Sequence, residues 1–375
     1  MQTPYPTLRW LESGAESSMR WRSESGFPAP QKIVIGDDRM TADAAVRLAS
    51  EGSSILWRGD YHNARQLLQA MTRRFDRKPR KPAATLRDAF NLHRQAQSQK
   101  ARILGMLLIP VDAGHVISLR RAPVVRDACI EAYGPADEAY VLSLRELLGV
   151  IGAHEWRRNG VPISALDGDR IHPHYAVFSP VRGEYLELLA QAPLPSAQLA
   201  FDIGTGTGVL AAILVRRGVK KVIATDMQPR ALVCAQENLE RLGMSQQVDL
   251  LQTDLYPPGR APLIVCNPPW LPGRPSSVLE QAVYDPDSRM LKGFLDGLSG
   301  HLAPGGEGWL ILSDFAEHLG LRSRQDLLDM IRHAGLEVLG RNDIRPKHPK
   351  SNDASDPLHM ARRQEVTSLW RLGSK

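Results

Sequence analysis

The stretch CNPPW, residues 266–270, places four chemically distinctive residues directly after a short apolar run. Proline fixes φ and lacks an N–H, so the predicted buried strand must end here. The side-chain oxygen of Asn267 and the carbonyl oxygen of Pro268 then form two acceptors, held by the stiff Pro268-Pro269 pair. Trp270 adds an aromatic plane beside them. The pattern suits a flat group that presents two N–H bonds; the alternative is a rigid turn with Trp270 filling the core.

A second group of residues that could bind a ligand lies in FDIGTGTG, residues 201–208. This stretch joins a predicted strand to a helix. Glycines remove side chains where the backbone turns tightly and approaches a ligand. A dinucleotide fingerprint needs a third glycine at position 209, where this chain has Val209. Asp202 disfavours a pyrophosphate and favours an ammonium group, so the turn indicates S-adenosylmethionine rather than NAD. The alternative is a structural turn without a ligand. The glycines are Gly204, Gly206 and Gly208.

Two further acids end the next strands of the series. Asp226, in ATDMQP, lies where a carboxylate accepts hydrogen bonds from ribose hydroxyls. Asp254, in LLQTDLY, lies where a carboxylate accepts from an adenine amino group. Taken alone, Asp254 is a weak signal, because aspartate is common after strands.

All these residues fall at strand ends in a regular series that starts near residue 195. QLAFDI, KVIATD, VDLLQTD, LIVCN, EGWLILSD, LEVLGRN and VTSLWRL are the predicted strands. Crossover helices between most of them predict a largely parallel, doubly wound, Rossmann-like sheet of seven strands. The last two strands lack an intervening helix, so we expect them to pair antiparallel at the edge.

The first part of the chain carries no catalytic motif. We predict an accessory or substrate-recognition domain over residues 1–160, α-rich and mixed, and a catalytic domain over residues 161–375. Within the accessory domain we expect an irregular stretch at 1–40, helices at 41–50 (with Thr41 as N-cap), 61–75, 85–109 and 138–152, strands at 53–59 and 114–120, and a basic linker at 76–84.

Charge is uneven along the chain, which has 375 residues and a net charge of +6. Residues 1–165 carry 24 Lys and Arg against 17 Asp and Glu, and residues 58–102 hold 12 of those basic residues. A basic face attracts phosphate-rich partners such as RNA or ribosomes. A solvated helical surface explains the same charges equally well.

The motifs DIGTGTG, TDMQP, TDLY and CNPPW, in this order, resemble class I S-adenosylmethionine-dependent methyltransferases of the N-P-P-[FYW] type. The resemblance covers residues 172–375 and implies that the catalytic group is Asn267, Pro268, Pro269 and Trp270. It implies a cofactor site, for S-adenosylmethionine and without a metal, made by Asp202, Gly204, Thr205, Gly206, Gly208, Asp226, Met227, Asp254, Leu255 and Asn267.

In that family the acceptors act on a poor nucleophile, a planar NH₂ group. Acceptors aimed at its two N–H bonds favour a pyramidal nitrogen and offset the developing charge. The segment DPDSRMLKGFLDGL, residues 285–298, resembles enzymes that methylate glutamine in release factors and a ribosomal protein. The segment at residues 177–189, VFSPVRGEYLELL, departs from the P-R-x-E-T run of those enzymes. The amino groups of adenine or guanine in nucleic acid therefore remain alternative substrates. A small-molecule acceptor and a non-catalytic binding protein are further alternatives.

Other features of the sequence are less informative. His172 and His174 lack a cluster of cysteines or carboxylates, so we expect no metal there. Three nearby residues either line the cofactor or substrate pocket or pack against other protein side chains: Tyr175, Phe178 and Arg182. The polar segment 345–363 is a substrate-gripping loop or an insertion.

The cellular setting follows from composition. Cys129, Cys234 and Cys266 are far apart, which fits a reducing compartment. We find neither a signal peptide nor an apolar run of about 20 residues. We therefore expect a cytoplasmic protein without a membrane partner. From the motifs and the charge, the expected partner is a macromolecular substrate, a protein or an RNA, either free or ribosome-associated.

Overall fold

The computed structural model describes residues 6–77, 83–275, 279–346, 353 and 356–375. It divides the chain into two compact units, Met1–Pro82 with Asn91–Glu155, and Ala83–Phe90 with Trp156–Lys375. Most of the predicted linker (78–82) and much of the 345–363 segment lie outside the described residues. Among the described helices, none has the length and apolarity needed to cross a bilayer.

The first unit is built on a six-stranded mixed sheet with the order β1-β2-β6-β5-β4-β3. Its strands are β1 Thr7–Glu12, β2 Ala15–Trp21, β3 Lys32–Gly36, β4 Ser53–Trp57, β5 Leu107–Val111 and β6 Tyr140–Ser143. Its helices are α1 Ala42–Ser50, α2 Tyr61–Asp76, α3 Leu86–Leu104, α4 Arg126–Tyr133 and α5 Leu144–Asn159. The first residues of α3 and the last of α5 belong to the second unit.

The predicted helices α1 and α2 are confirmed, and Thr41 caps α1 by accepting the backbone N–H of Ala44. The predicted irregular stretch at 1–40 is wrong. β1 and β2 form a hairpin, because Ser13 and Gly14 both have positive φ, as a two-residue turn requires. Leu8 and Trp10 point inward in alternation, a period-2 pattern too short to stand out in the sequence.

Three other boundaries in this unit differ from the predictions. The helix expected at 85–109 ends at Leu104, and the following LLIPV is the buried strand β5. The helix expected at 138–152 begins only at Leu144, because the preceding buried residues form β6. The strand expected at 114–120 is absent, and a short helical turn occupies Ala113–His115. A short apolar run is compatible with a helix or with a buried strand, and its tertiary contacts determine which of the two forms.

The second unit contains the predicted seven-stranded sheet. Its strands are β9 Leu199–Ile203, β10 Lys221–Asp226, β11 Val248–Gln252, β12 Ala261–Cys266, β15 Leu302–Ser313, β16 Leu336–Ile344 and β17 Thr367–Ser374. Two small pairs are β7 Val161–Pro162 with β8 Arg170–Ile171, and β13 Leu271–Pro272 with β14 Tyr284–Asp285. The helices are α6 Glu184–Gln191, α7 Val209–Arg216, α8 Pro229–Arg241, α9 Arg289–His301, α10 Phe315–His318, α11 Arg324–His333 and α12 His359–Gln364.

The order of the large sheet is β11-β10-β9-β12-β15-β17-β16, so the fold is the expected doubly wound, Rossmann-like one. All neighbours are parallel except β17, which runs antiparallel to both β15 and β16. The prediction that the last two strands pair antiparallel is confirmed, but β17 lies inside the sheet and β16 forms the edge. Apolar clusters cover both faces, which explains why β12 is an unbroken apolar run.

The close packing of α9 on this sheet gives a stability prediction. A Cβ at Gly308 of β15 would lie 2.3 Å from Cδ2 of the fully buried Leu298. Gly308→Ala should therefore destabilise the chain by about 1–3 kcal/mol through overpacking. Gly300→Ala, on α9 with open space around the added methyl, should be neutral or stabilising by up to about 1 kcal/mol. Urea unfolding followed by circular dichroism measures both; equal effects would contradict the packing.

Candidate functional site

The ends of two central strands bring the glycine turn and the NPPW segment together. In the parallel pairing of β9 with β12, Cys266 lies opposite Ile203. Gly204 and Asn267 are the next residues of the two strands, so both leave the sheet at the same edge. On the other side of β9, Thr225 lies opposite Ile203, and Asp226 ends β10 at this edge. The carboxyl edge of such a sheet is where ligands bind in doubly wound folds.

The glycine turn is held open by backbone geometry and by the neighbouring strand. Gly204, Gly206 and Gly208 have φ of 74°, 56° and 81°, a region that disfavours other residues. The backbone N–H groups of Gly204 and Thr205 donate to the carbonyl oxygen of Thr225 at 2.9 and 2.8 Å. A Cβ at Gly206 would meet no atom within 4 Å, so this residue faces open space. The turn therefore leaves room for a ligand beside its backbone.

Asp202 is fully buried directly before this turn. Its Oδ2 accepts from the Thr205 hydroxyl at 2.7 Å and from the Ala211 N–H at 3.1 Å. Its Oδ1 has no hydrogen-bond partner in the described part of the chain. Burial raises the pKa of Asp202 to about 7, although the Thr205 hydrogen bond opposes the shift. A buried oxygen without a partner is rare in proteins and indicates a donor that arrives with a ligand.

Glu184, the first residue of α6, is a second such carboxylate, and the sequence analysis missed it. It is 9% exposed, and its Oε1 also has no hydrogen-bond partner among the described residues. Burial raises the pKa of Tyr185, and the charges of Asp202 and Glu184 raise it further. Two acids with unpartnered oxygens suit a cationic group such as an ammonium. The signal available in the sequence was an acid in the first turn of the helix before β9.

Asp226 takes part in the turn and keeps capacity for a ligand. Its Oδ2 accepts from the N–H of Gly206 at 3.0 Å, and its Oδ1 accepts from the N–H of Gln228 at 2.9 Å. Burial raises the pKa of this carboxyl, while the backbone donors lower it. Each oxygen retains a lone pair for a hydroxyl. Met227, the next residue, is 53% exposed and offers an apolar surface beside the carboxylate.

Asp254 and Leu255 follow β11 on the far side of this region. Asp254 forms an ion pair with Arg289, at the start of α9. Leu255 has φ of 70°, which is uncommon for a branched apolar residue, and its carbonyl accepts the Thr225 hydroxyl at 2.6 Å. The loop is thus fixed in shape, and the Asp254 carboxylate is half-exposed.

The two glycines of the segment 285–298, Gly293 and Gly297, have a packing role here. A Cβ at Gly293 would lie 2.5 Å from Leu255 Cδ1, and one at Gly297 would lie 2.5 Å from Tyr256 Cε2. They let α9 approach the loop that carries Asp254. Asp285 holds the start of α9 by accepting the N–H groups of Met290 and Leu291 at 3.0 and 3.1 Å.

Asn267 and Trp270 are joined to one another. The Trp270 indole N–H donates to Asn267 Oδ1 at 2.8 Å. The ring is half-buried and packs against the apolar clusters on both faces of the sheet. This hydrogen bond fixes the orientation of the Asn267 amide and leaves its oxygen one further lone pair. Pro268 is buried and Pro269 half-buried, so the segment is anchored. Stacking of Trp270 on a substrate stays a prediction.

The remaining candidates make protein contacts. Arg182 forms an ion pair at 3.5 Å with the buried Glu365, which also accepts the Ser313 hydroxyl at 2.7 Å. Tyr175 lies under the guanidinium of Arg230, and Phe178 is 39% exposed.

The two histidines also contact protein groups. His172 Nδ1 lies 2.6 Å from the carbonyl oxygen of Arg157, and His174 Nε2 lies 2.9 Å from Glu237. Among the described residues, no group of three or more potential metal ligands occurs.

The hydrogen-bond acceptors at this edge suit a ligand that combines a cation with sugar hydroxyls. Asp202 and Glu184 offer unpartnered oxygens, Gly206 faces open space, and Asp226 keeps acceptor capacity. This matches an amino-acid ammonium and a ribose, as in S-adenosylmethionine. A phosphate would meet two carboxylates.

Comparison with known proteins agrees with this geometry. Residues 171–324 match the family model described as methyltransferase small domain. A release factor glutamine methyltransferase of Moorella thermoacetica is 36% identical over 141 residues, which are 36% of this chain and 50% of the relative. A tRNA1(Val) (adenine(37)-N6)-methyltransferase of Shewanella loihica is 31% identical over 144 residues, 36% of this chain and 59% of the relative.

A ribosomal protein L11 methyltransferase of Vibrio vulnificus is 31% identical over 103 residues, 27% of this chain and 35% of the relative. The chain thus spans between about a third and three fifths of the length of these three relatives. Residues 171–324, which match the family model, contain β9 to β12 and the Asn267 segment. Residues 171–324 are therefore similar to the methyltransferase small domain family.

Proposed function

We propose that this chain is an S-adenosylmethionine-dependent N-methyltransferase that acts on a planar NH₂ group of a macromolecule, and that this group is the side-chain amide of a protein glutamine. The observation that carries the proposal is the position of Asn267. Its amide is oriented by Trp270 at the sheet edge, one strand from the glycine turn and from the unpartnered oxygen of Asp202.

The cofactor site would use residues already described. Asp202 and Glu184 bind the ammonium group, the backbone of Gly204–Gly208 lies along the amino-acid part, and Asp226 accepts from the ribose hydroxyls. Met227, Asp254 and Leu255 surround the adenine. S-adenosylmethionine, when bound, supplies a methyl group that its sulfonium charge already activates.

The chain's own task is to prepare the nitrogen. Asn267 Oδ1 and the carbonyl oxygen of Pro268 accept hydrogen bonds from the two N–H groups of the substrate NH₂. These hydrogen bonds draw the nitrogen lone pair out of conjugation. The Trp270 N–H keeps the amide of Asn267 from rotating, so the acceptor geometry exists before the substrate arrives. A general base is not required, because the nitrogen becomes acidic only after it has gained the methyl group.

Support for glutamine comes from the segment 285–298 and from the release factor relative. Support for the alternative, an amino group of an RNA or DNA base, comes from the basic residues 58–102 and the tRNA relative. The relatives' substrates belong to translation, so we propose a cytoplasmic enzyme.

Methyl transfer into a lysate tests the proposal. The chain is incubated with radiolabelled S-adenosylmethionine and lysate from a strain that lacks its gene, and parallel samples receive RNase, DNase or protease. Label that survives both nucleases and is lost to protease supports glutamine. Label lost to a nuclease would establish the base alternative, and no label in any macromolecule would contradict the proposal.

The raised pKa of Asp202 predicts a pH dependence of cofactor binding. Only the ionised carboxylate attracts an ammonium, and with a pKa of about 7 its ionised fraction grows as pH rises towards neutrality. The affinity for S-adenosylmethionine should rise roughly tenfold between pH 5.5 and 7. Equilibrium dialysis with labelled ligand measures it.

Two controls isolate the carboxylate. Asp202→Asn should bind more weakly at pH 7 and lose the pH dependence. Methylthioadenosine, which lacks the ammonium, should show little dependence on pH with the unmodified chain. The same pH profile in Asp202→Asn would exclude Asp202 as its source.

The hydrogen bond from Trp270 predicts a separation of turnover from cofactor binding. Trp270→Phe keeps an apolar ring but loses the N–H, and a net hydrogen bond of about 1–1.5 kcal/mol corresponds to roughly a tenfold loss of kcat. Cofactor affinity should be unchanged. Trp21→Phe is the matched control, since that indole N–H donates to the Phe27 carbonyl in the first unit. An unchanged kcat in Trp270→Phe would refute the positioning role.

A further inference from the structure

Arg289, the first residue of α9, has no role in the proposed function, yet its side chain reaches the cofactor site. It forms an ion pair with Asp254, in which Nη2 of the guanidinium contacts Oδ2 of the carboxylate. In the described part of the chain, no other hydrogen bond or ion pair involves either side chain. Oδ1 of Asp254 therefore keeps its full capacity to accept a hydrogen bond.

The backbone around β11 holds Asp254 close to the ribose acceptor. In the parallel pairing of β10 with β11, Asp226 lies opposite Gln252. The N–H of Thr253 donates to the carbonyl oxygen of Asp226 at 3.3 Å, and the side-chain amide of Gln252 donates to the carbonyl oxygen of Met227 at 3.4 Å. Asp254 is the next residue along the chain, so a base attached to a ribose at Asp226 lies beside the end of β11.

Two contacts fix the start of α9 without help from the ion pair. Asp285 is buried and accepts the N–H groups of Met290 and Leu291 at 3.0 and 3.1 Å. Met290 packs on the glycine turn, since a Cβ at Gly204 would lie 2.5 Å from Met290 Cε. Consecutive residues of α9 thus contact Asp254 and the glycine turn. The first turn of this helix therefore touches both halves of the proposed cofactor site.

The backbone directly before Arg289 is strained. Asp287 and Ser288 have φ of 55° and 54°, a left-handed conformation that costs free energy for residues other than glycine. Such strain persists only where the surrounding structure holds it, and it is concentrated at functional sites. The turn leads straight into Arg289, so it sets the point from which the guanidinium reaches Asp254.

The ion pair is better suited to orienting a group than to stabilising the fold. The side chains of Arg289 and Asp254 are 60% and 49% exposed, and water screens charges in such a pair. A carboxylate on a loop can rotate about its side-chain bonds. An arginine bound to one of its oxygens restricts that rotation and leaves the second oxygen in a defined place.

We propose that Arg289 is a positioning residue for the cofactor: it holds the Asp254 carboxylate so that Oδ1 accepts a hydrogen bond from the exocyclic amino group of adenine. The inference rests on the proposed function and adds to it the residue that makes the site selective for an aminopurine. A purine without the amino group would leave this acceptor without its donor.

Ligand binding in the absence of turnover tests the inference. S-adenosylhomocysteine, which lacks the transferable methyl group, is compared by calorimetry with its analogue that carries hydrogen in place of the exocyclic amino group. The unmodified chain should bind the analogue roughly tenfold more weakly, as expected for one lost hydrogen bond to a charged acceptor. Arg289→Met should weaken the binding of S-adenosylhomocysteine about fivefold and leave the affinity for the analogue unchanged. Arg289→Lys, which keeps the charge, should restore part of the preference for S-adenosylhomocysteine.

Two further variants serve as controls. Asp254→Ala removes the acceptor, so both compounds should bind it with similar affinity, and adding Arg289→Met should have no further effect. Arg332→Met is the matched control, because Arg332 of α11 is also 60% exposed and forms an ion pair with Asp329. It should leave both affinities unchanged. Urea unfolding should show equally small effects of Arg332→Met and Arg289→Met on stability.

Three results would overturn the inference and leave the proposed function intact. The first is similar affinity of the unmodified chain for S-adenosylhomocysteine and its analogue. The second is an equal loss of affinity for both compounds in Arg289→Met, because the arginine would then act on the purine ring or on the fold. The third is no loss for either compound. If S-adenosylhomocysteine did not bind to the unmodified chain at all, the proposed function and this inference would both be wrong.

Discussion

The parallel pairing of β9 with β12 is the constraint on which the site depends. Because Cys266 lies opposite Ile203, the glycine turn and the NPPW segment start from neighbouring points of one sheet edge. A shift of one residue would turn the buried side chains of β12 to the other face and displace Asn267 from Gly204. The apolar clusters on both faces hold this register, so the packing of the core determines the geometry of the chemistry.

Two buried carboxylates near the glycine turn are unfavourable for folding. Asp202 and Glu184 are buried with one oxygen each lacking a hydrogen bond in the described chain, and burial raises the pKa of Asp202. Such groups destabilise a fold unless a ligand supplies the missing donors. Nearby, the Trp270 N–H holds the Asn267 amide in one orientation. The carboxylates of Asp202 and Glu184 thus lack hydrogen-bond donors until a ligand binds, whereas the Asn267 amide is already oriented.

The seven strands and the site motifs could be predicted from the sequence because their signals are local. The sequence patterns of a strand, a glycine turn and a helix can each be recognised within about 15 residues. Acids at the ends of strands indicate one edge of a parallel sheet. Other features depend on contacts far apart in sequence. The ion pair of Asp254 with Arg289 joins residues 35 positions apart and has no local pattern in the sequence.

Glu184 and Trp270 show two further limits of sequence reasoning. An acid in the first turn of a helix is usually a favourable dipole contact, so the sequence did not mark Glu184 as a buried carboxylate. The aromatic of NPPW suggested a stacking plane, yet its N–H direction depends on how the ring packs between two clusters. In the first unit, β1 and β2 were missed because their inward residues are few and their outward residues polar.

Calorimetric titration of S-adenosylmethionine into the unmodified chain and into Asp226→Ala tests whether this sheet edge binds the methyl donor. Asp226 closes the glycine turn and is proposed to bind the ribose. The unmodified chain should show one binding site, and the variant should bind at least tenfold more weakly. Absence of binding to the unmodified chain, or equal affinity in Asp226→Ala, would contradict the assignment of this sheet edge as a methyl-donor site.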